Sequence, residues 1–215
     1  GSAGGQDDQA VNPHLWLDAA IARQYVARIG EALAKADPSG ADEYRARATE
    51  YDGQLAALDA SLRDEFGALP AANRRVISFH DAFPYFARAY GLEIVGVVVA
   101  APGQDPSAGE VAALIDAIRA SGARAILAEA QFNDRLARQI ADETGATVVS
   151  GLYTDSIGDA PQDTYAAILR WDAPKSWLSG LRRQIGRSTG SDLTSERQCS
   201  STDCRRCPKR STPFS

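Results

Sequence analysis

The chain has 215 residues, 44% of them hydrophobic and 24% charged, with a net charge of −5, which is enough to bury a core as one large domain or two small ones. Residues 172–215 hold nine Lys/Arg and four Asp/Glu, against 23 and 28 in the whole chain, so an acidic body carries a basic tail. The acidic body argues against nucleic acid as a partner; there is no run of about 20 apolar residues to cross a membrane as a helix; and all three cysteines lie in the tail, leaving the body without a disulfide or thiolate site.

Residues 1–11, rich in Gly, Asp and Gln, read as a flexible lead-in, and a start at Gly1-Ser2-Ala3 reads as an interior or processed end. Asp18 is suited to cap a helix over about Ala19 to Ala36, on which Ile21, Tyr25, Val26, Ile29 and Leu33 share one face. Asp37-Pro38-Ser39-Gly40 stops it. Tyr44, Ala48, Tyr51, Leu55, Leu58, Leu62 and Phe66 then recur at helical spacing over Ala41 to Gly67, a span of roughly 40 Å at about 1.5 Å per residue. One narrow apolar stripe on so long a helix predicts a strut along or between domains.

From Arg75 the pattern changes to strands alternating with helices. Val76 to Phe79, Ile94 to Val99, Ala125 to Ala130 and Thr147 to Leu152 read as strands. The second of these, β-branched throughout except for Gly96, has the composition of a strand buried on both faces. Helices are predicted over Ala82 to Tyr90, Ser107 to Ser121 and Asp134 to Thr144, with a last one opened by Asp163 or Thr164. Four such units predict an α/β fold, a parallel four-stranded sheet with flanking helices, preceded by the long linking helix. Beyond Trp171 the chain is too rich in Ser and Arg to build a core, which predicts disorder. Cys199-x4-Cys204-x2-Cys207 has the spacing of part of an iron–sulfur motif, but the fourth cysteine is missing and chance accounts for it.

The only two histidines are His14, in Asn12-Pro13-His14-Leu15-Trp16-Leu17-Asp18, and His80, at the end of the first strand. Ligands bind outside the carboxyl ends of strands in open parallel sheets, so His80 is placed as a ligand or a base. Asp155, in Leu152-Tyr153-Thr154-Asp155-Ser156, stands at the end of the fourth strand. Two imidazoles and a carboxylate suit Zn²⁺ or Mn²⁺ better than Ca²⁺ or Mg²⁺, which prefer all-oxygen shells.

The stretches NPHLWLD, SFHDAFPYFARAYGL, AEAQFN and GLYTDSIGD, in that order between Asn12 and Arg170, resemble the metal-binding solute-binding proteins of zinc and manganese ABC importers. The resemblance implies two α/β lobes joined by one long helix, with a single ion held between them. On that basis residues 1–40 are a remnant of the amino-terminal lobe, 41–70 the interlobe helix, 71–171 the carboxyl-terminal lobe and 172–215 a basic tail. It also implies that His14, His80 and Asp155 are ligands and that Glu129 orients a ligand histidine. The expected cargo is Zn²⁺ or Mn²⁺, the partner an ABC transporter membrane permease, the location periplasmic or extracytoplasmic, and the protein a monomer without enzymatic activity. Two departures stand out: Asn12 replaces the family's usual aspartate, and no histidine precedes His14 to serve as the family's first ligand. The alternatives are an inactive fragment of such a protein, or a zinc-dependent hydrolase in which Glu129 or Asp81 activates water.

Overall fold

The computed structural model describes residues 12–99, 103 and 105–173. The lead-in at 1–11 and the tail from 174 onward, including Cys199, Cys204 and Cys207, lie outside the described residues.

Helix α1 (Ala19–Ala36) opens on Asp18, whose carboxylate accepts from the Ala20 and Ile21 N–H groups and so satisfies amides that a helix start leaves unpaired. Helix α2 (Ala41–Gly67) follows a short turn and folds back along α1, with Arg23 paired to Asp52 and Arg45 to Glu31. Ala22, Gly30 and Ala34 are buried on α1, whereas Tyr25, Ile29 and Leu33 are 39%, 58% and 46% exposed. Tyr25, Ile29 and Leu33 therefore face outward, and Gly30 lies in the seam with α2. Small residues win the seam because they let the two helix axes approach: a Cβ on Gly30 would stand 2.6 Å from the Ala48 Cβ. The far half of α2 delivers Leu62 and Phe66 to a cluster with Leu17, Phe83, Phe86 and Tyr90. Within it Phe66 meets Phe86 edge-on at 5.4 Å and stacks on Tyr90 at 5.5 Å.

The four strands β1 (Arg75–His80), β2 (Glu93–Val99), β3 (Ala125–Glu129) and β4 (Thr147–Leu152) are parallel, in the order β2-β1-β3-β4. Helix α3 (Pro84–Tyr90), between β1 and β2, packs in the cluster that holds Phe66. Helices α4 (Ala108–Ser121) and α5 (Arg135–Thr144) cover the other face with Ile115, Ile118 and Ile140 against Ile77 and Ile126. Travel from β1 to β2 is opposite in direction to travel from β2 to β3 and on to β4, so crossovers of one hand must use opposite faces. Ser107 and Glu110 form a reciprocal capping box at the start of α4. Gly91, Gly122 and Gly145 end α3, α4 and α5 at positive φ. Helix α6 (Tyr165–Trp171), capped by Thr164, returns Leu169 to the face that holds α3.

One expectation is corrected. Strand β2 is not buried on both faces: Ile94, Val95, Gly96 and Val97 are half-buried and only Val98 and Val99 are buried. The strand order leaves β2 at the edge of the sheet, and a β-branched run reports strand propensity without reporting position in the sheet.

The seam between α1 and α2 gives a test. Alanine normally stabilises a helix interior by about 1 kcal/mol over glycine, but Gly30→Ala should destabilise this protein in urea unfolding, because overpacking of about 1–3 kcal/mol outweighs that gain. The same substitution in an Ala48→Gly background should become stabilising. If the sign is the same in both backgrounds, the close approach of the helices is not what selects glycine.

Candidate metal centre

Alternation along a strand sends every second side chain to the same face. Val76 is in register with Ala125 and Ser78 with Leu127, so two residues further on His80 and Glu129 share a face at the carboxyl ends of adjacent strands. These strands, β1 and β3, are where the direction of travel reverses, the crevice in which α/β sheets bind ligands. His80 is 4% and Glu129 1% exposed, and the His80 Nδ1 lies 3.0 Å from Glu129 Oε1. An ionised Glu129 can only accept, which puts the proton on Nδ1 and leaves the Nε2 lone pair for the cleft. The Ser78 hydroxyl donates to the His80 carbonyl, holding the strand end. Burial pushes the Glu129 carboxyl above its ordinary range, opposed by a backbone hydrogen bond and by the His80 ring.

His14 arrives from the segment ahead of α1. It precedes a short 3-10 turn, Leu15–Leu17, whose Leu17 is wholly buried. Two long-range hydrogen bonds strap this segment to the end of β4 and to α6: Trp16 Nε1 donates to the Thr154 carbonyl at 2.7 Å, and the Tyr165 hydroxyl donates to the Trp16 carbonyl at 2.6 Å. The His14 Nδ1 lies 2.8 Å from Asn12 Oδ1, and its Nε2 faces Asp155 Oδ1 at 3.3 Å. The two imidazoles meet edge-on with centroids 5.0 Å apart, and Phe132 closes the far side of His80 at 5.5 Å.

His14, His80 and Asp155 thus converge from three parts of the chain, each offering a ligand atom within 4.8 Å of the others. An ion about 2.0–2.2 Å from each ligand would hold them roughly 3.3–3.6 Å apart in tetrahedral geometry, the separation that His14 and Asp155 already have. Both histidines are buried while the Asp155 side chain is 41% exposed, so the group opens toward solvent on the aspartate side. Glu129 touches a ring and stays out of the cluster. Trp16, Tyr165 and Phe132 went unrecognised as parts of the site in the sequence; the one signal available for Trp16 was its place two residues after His14.

Beneath the Asp155 turn, Asp172 is completely buried and accepts from the Tyr153 N–H at 3.2 Å through Oδ1, while its Oδ2 has no partner among the described residues. Burial drives its carboxyl well above the ordinary range, and the nearby Glu129 charge adds to the rise. A raised folded-state pKa contributes stability that is full below the unfolded value, about 3.9, and is lost as pH climbs through the folded value. Asp172→Asn keeps an acceptor for Tyr153 and removes that loss. In urea titrations the variant should exceed the parent in stability at about pH 8, and the gap should narrow toward about pH 4. A gap independent of pH would mean that Asp172 stays charged in the fold.

The profile of the ZnuA family, "zinc-uptake complex component A periplasmic", matches residues 1–175. Among curated proteins, the iron-binding protein YfeA of Yersinia pestis is 32% identical over 160 residues, covering 74% of this chain and 51% of that protein. The high-affinity zinc uptake system protein ZnuA of Paracoccus denitrificans is 33% identical over 172 residues, covering 73% and 52%. The manganese-binding lipoprotein MntA of Halalkalibacterium halodurans is 25% identical over 178 residues, covering 82% and 59%. The chain spans about half the length of these relatives. Among solved structures, the periplasmic zinc binding protein TroA of Treponema pallidum aligns with a TM-score of 0.72 at 27% identity, over 82% of this chain and 66% of that one. A Mn-bound periplasmic metal binding protein from Candidatus Liberibacter asiaticus aligns at 0.69 and 27%, over the same shares. With its profile matched over most of its length, the chain belongs to the ZnuA family.

Proposed function

We propose that this protein captures a divalent transition-metal ion outside the membrane and presents it to the permease of an ABC importer. The observation that carries this reading is the orientation of the two buried imidazoles. Each has its Nδ1 engaged, by Asn12 and by Glu129, and each is left with Nε2 to offer beside the Asp155 carboxylate. Partners that orient ligand histidines in this way are the usual support of a protein metal site.

The relatives are named for iron, manganese and zinc, so membership of the family leaves the cargo open. Two imidazoles and one carboxylate favour Zn²⁺ over Mn²⁺, because affinity for nitrogen donors rises along the series from manganese to zinc. The ion is cargo, and no bond to carbon or phosphorus needs to be broken, which fits a monomeric binding protein. In this reading α2 is the helix between two lobes, the described residues before it belong to the first lobe, and those after it form the second. Three protein ligands with Asp155 partly exposed leave room for a fourth, and without one the chain binds more weakly than a complete four-ligand site. The alternative of an inactive fragment is the limit in which that affinity is too low to matter. The hydrolase reading is weaker on geometry: Glu129 is buried against His80, and Asp81 is turned toward the Asn12 amide.

Isothermal titration of the chain with Zn²⁺ and Mn²⁺ tests the proposal. Zinc should bind with one-to-one stoichiometry and more tightly than manganese. Loss of His14 or His80 by alanine substitution should weaken binding by more than the 10- to 100-fold (about 1.4–2.8 kcal/mol) typical of removing an outer partner. Absence of saturable binding would favour the fragment, and binding indifferent to His80→Ala would place the ion elsewhere.

A further inference from the structure

We propose that Asn12 is the positioning residue that makes His14 an Nε2 donor and couples its segment to the strand end that carries His80. The inference rests on the metal-capture reading and adds a residue whose role the family resemblance did not supply. Its basis is a fully paired amide. Asn12 Oδ1 faces the His14 backbone N–H at 3.1 Å and the His14 ring Nδ1 at 2.8 Å, while Nδ2 donates to the Asp81 carbonyl at 2.7 Å and approaches Asp81 Oδ2 at 3.3 Å.

These four contacts fix which end of the amide points where. Turned over, the NH₂ group would meet the His14 backbone N–H, donor against donor, and the oxygen would meet two Asp81 oxygens, acceptor against acceptors. The only arrangement that pairs every group puts the amide oxygen on His14. An oxygen there can only accept, so the His14 proton must sit on Nδ1. The lone pair then sits on Nε2, the atom 3.3 Å from Asp155.

The same geometry favours an amide over a carboxylate at position 12. An aspartate at position 12 would accept equally well from His14, but its second oxygen would confront the Asp81 carbonyl and carboxylate. It would orient the ring and lose the tie to Asp81. Asp81 directly follows His80, so with asparagine the two ligand-bearing segments share one hydrogen-bonded link outside the metal cluster itself. His80 leans on a carboxyl group and His14 on a neutral amide, so the two rings are held by partners of different chemistry.

The test reads the ring tautomers directly in the metal-free protein. Long-range ¹H–¹⁵N correlation spectra near pH 8, where free histidine is neutral, should show both His14 and His80 protonated on Nδ1. In Asn12→Ala the His14 signals should move toward the Nε2-protonated form while His80 stays as it was, which separates a local effect from general unfolding. Zinc affinity should fall about 10- to 100-fold in that variant. Asn12→Asp should restore the His14 tautomer and only part of the affinity. If His14 keeps its proton on Nδ1 in Asn12→Ala, or if both histidines change together, the positioning role is overturned. If the tautomer shifts as expected while zinc binding does not respond, the role of Asn12 stands and the assignment of His14 as a ligand falls.

Discussion

A buried hydrogen bond between a histidine ring and a glutamate governs the geometry of this protein's cleft. His80 and Glu129 meet because two parallel strands stand in register and alternate in phase, and because β1 and β3 are the pair between which the chain reverses its direction across the sheet. The crevice at such a reversal is left uncovered by the helices, which depart to opposite faces. Neither partner is cheap to bury. The second oxygen of Glu129 has no partner among the described residues, and burial pushes its carboxyl toward the neutral form. A cation at the opposite nitrogen of the ring would favour the ionised carboxylate, since the proton on Nδ1 becomes a stronger donor when Nε2 is coordinated.

Around this fixed pair the rest of the cluster is brought in from a distance. His14 precedes β1 by more than sixty residues and is carried by a segment with little regular structure, so its position depends on side-chain ties. Trp16 and Tyr165 bind the segment to the end of β4 and the start of α6, and Asn12 binds it to Asp81. The helical hairpin behind it provides the anchor. Asp18 caps α1 immediately after the 3-10 turn, and the close seam with α2 sets where that cap can stand. Asp155 has the looser setting, a turn with one face in solvent, and as a ligand it would be the position best able to adjust to an ion.

Most element boundaries could be read from local pattern. Asp18, Ser107 and Thr164 cap the helices they were expected to open, and the strands occupy the runs that alternate with those helices. The reading that failed concerns the environment of an element: strand β2 has the composition of a central strand and lies at the edge. Period and composition record what a segment can become, while its neighbours depend on contacts between residues far apart in the chain.

The same division applies to the site. The chemistry was available from the sequence alone, because only two histidines exist and both stand at element ends with an acid at a third. That inventory supports the class of ligand proposed above, a divalent ion of intermediate softness, since donor type decides which metals bind well. Tertiary structure decided which atoms face one another: Nε2 toward the cleft on both rings, Glu129 behind His80, Asn12 behind His14, and Asp155 half in water. The His80–Glu129 and His14–Asp155 contacts join segments 49 and 141 residues apart, and the Asn12 amide, two residues from His14, is oriented by Asp81, 69 residues away.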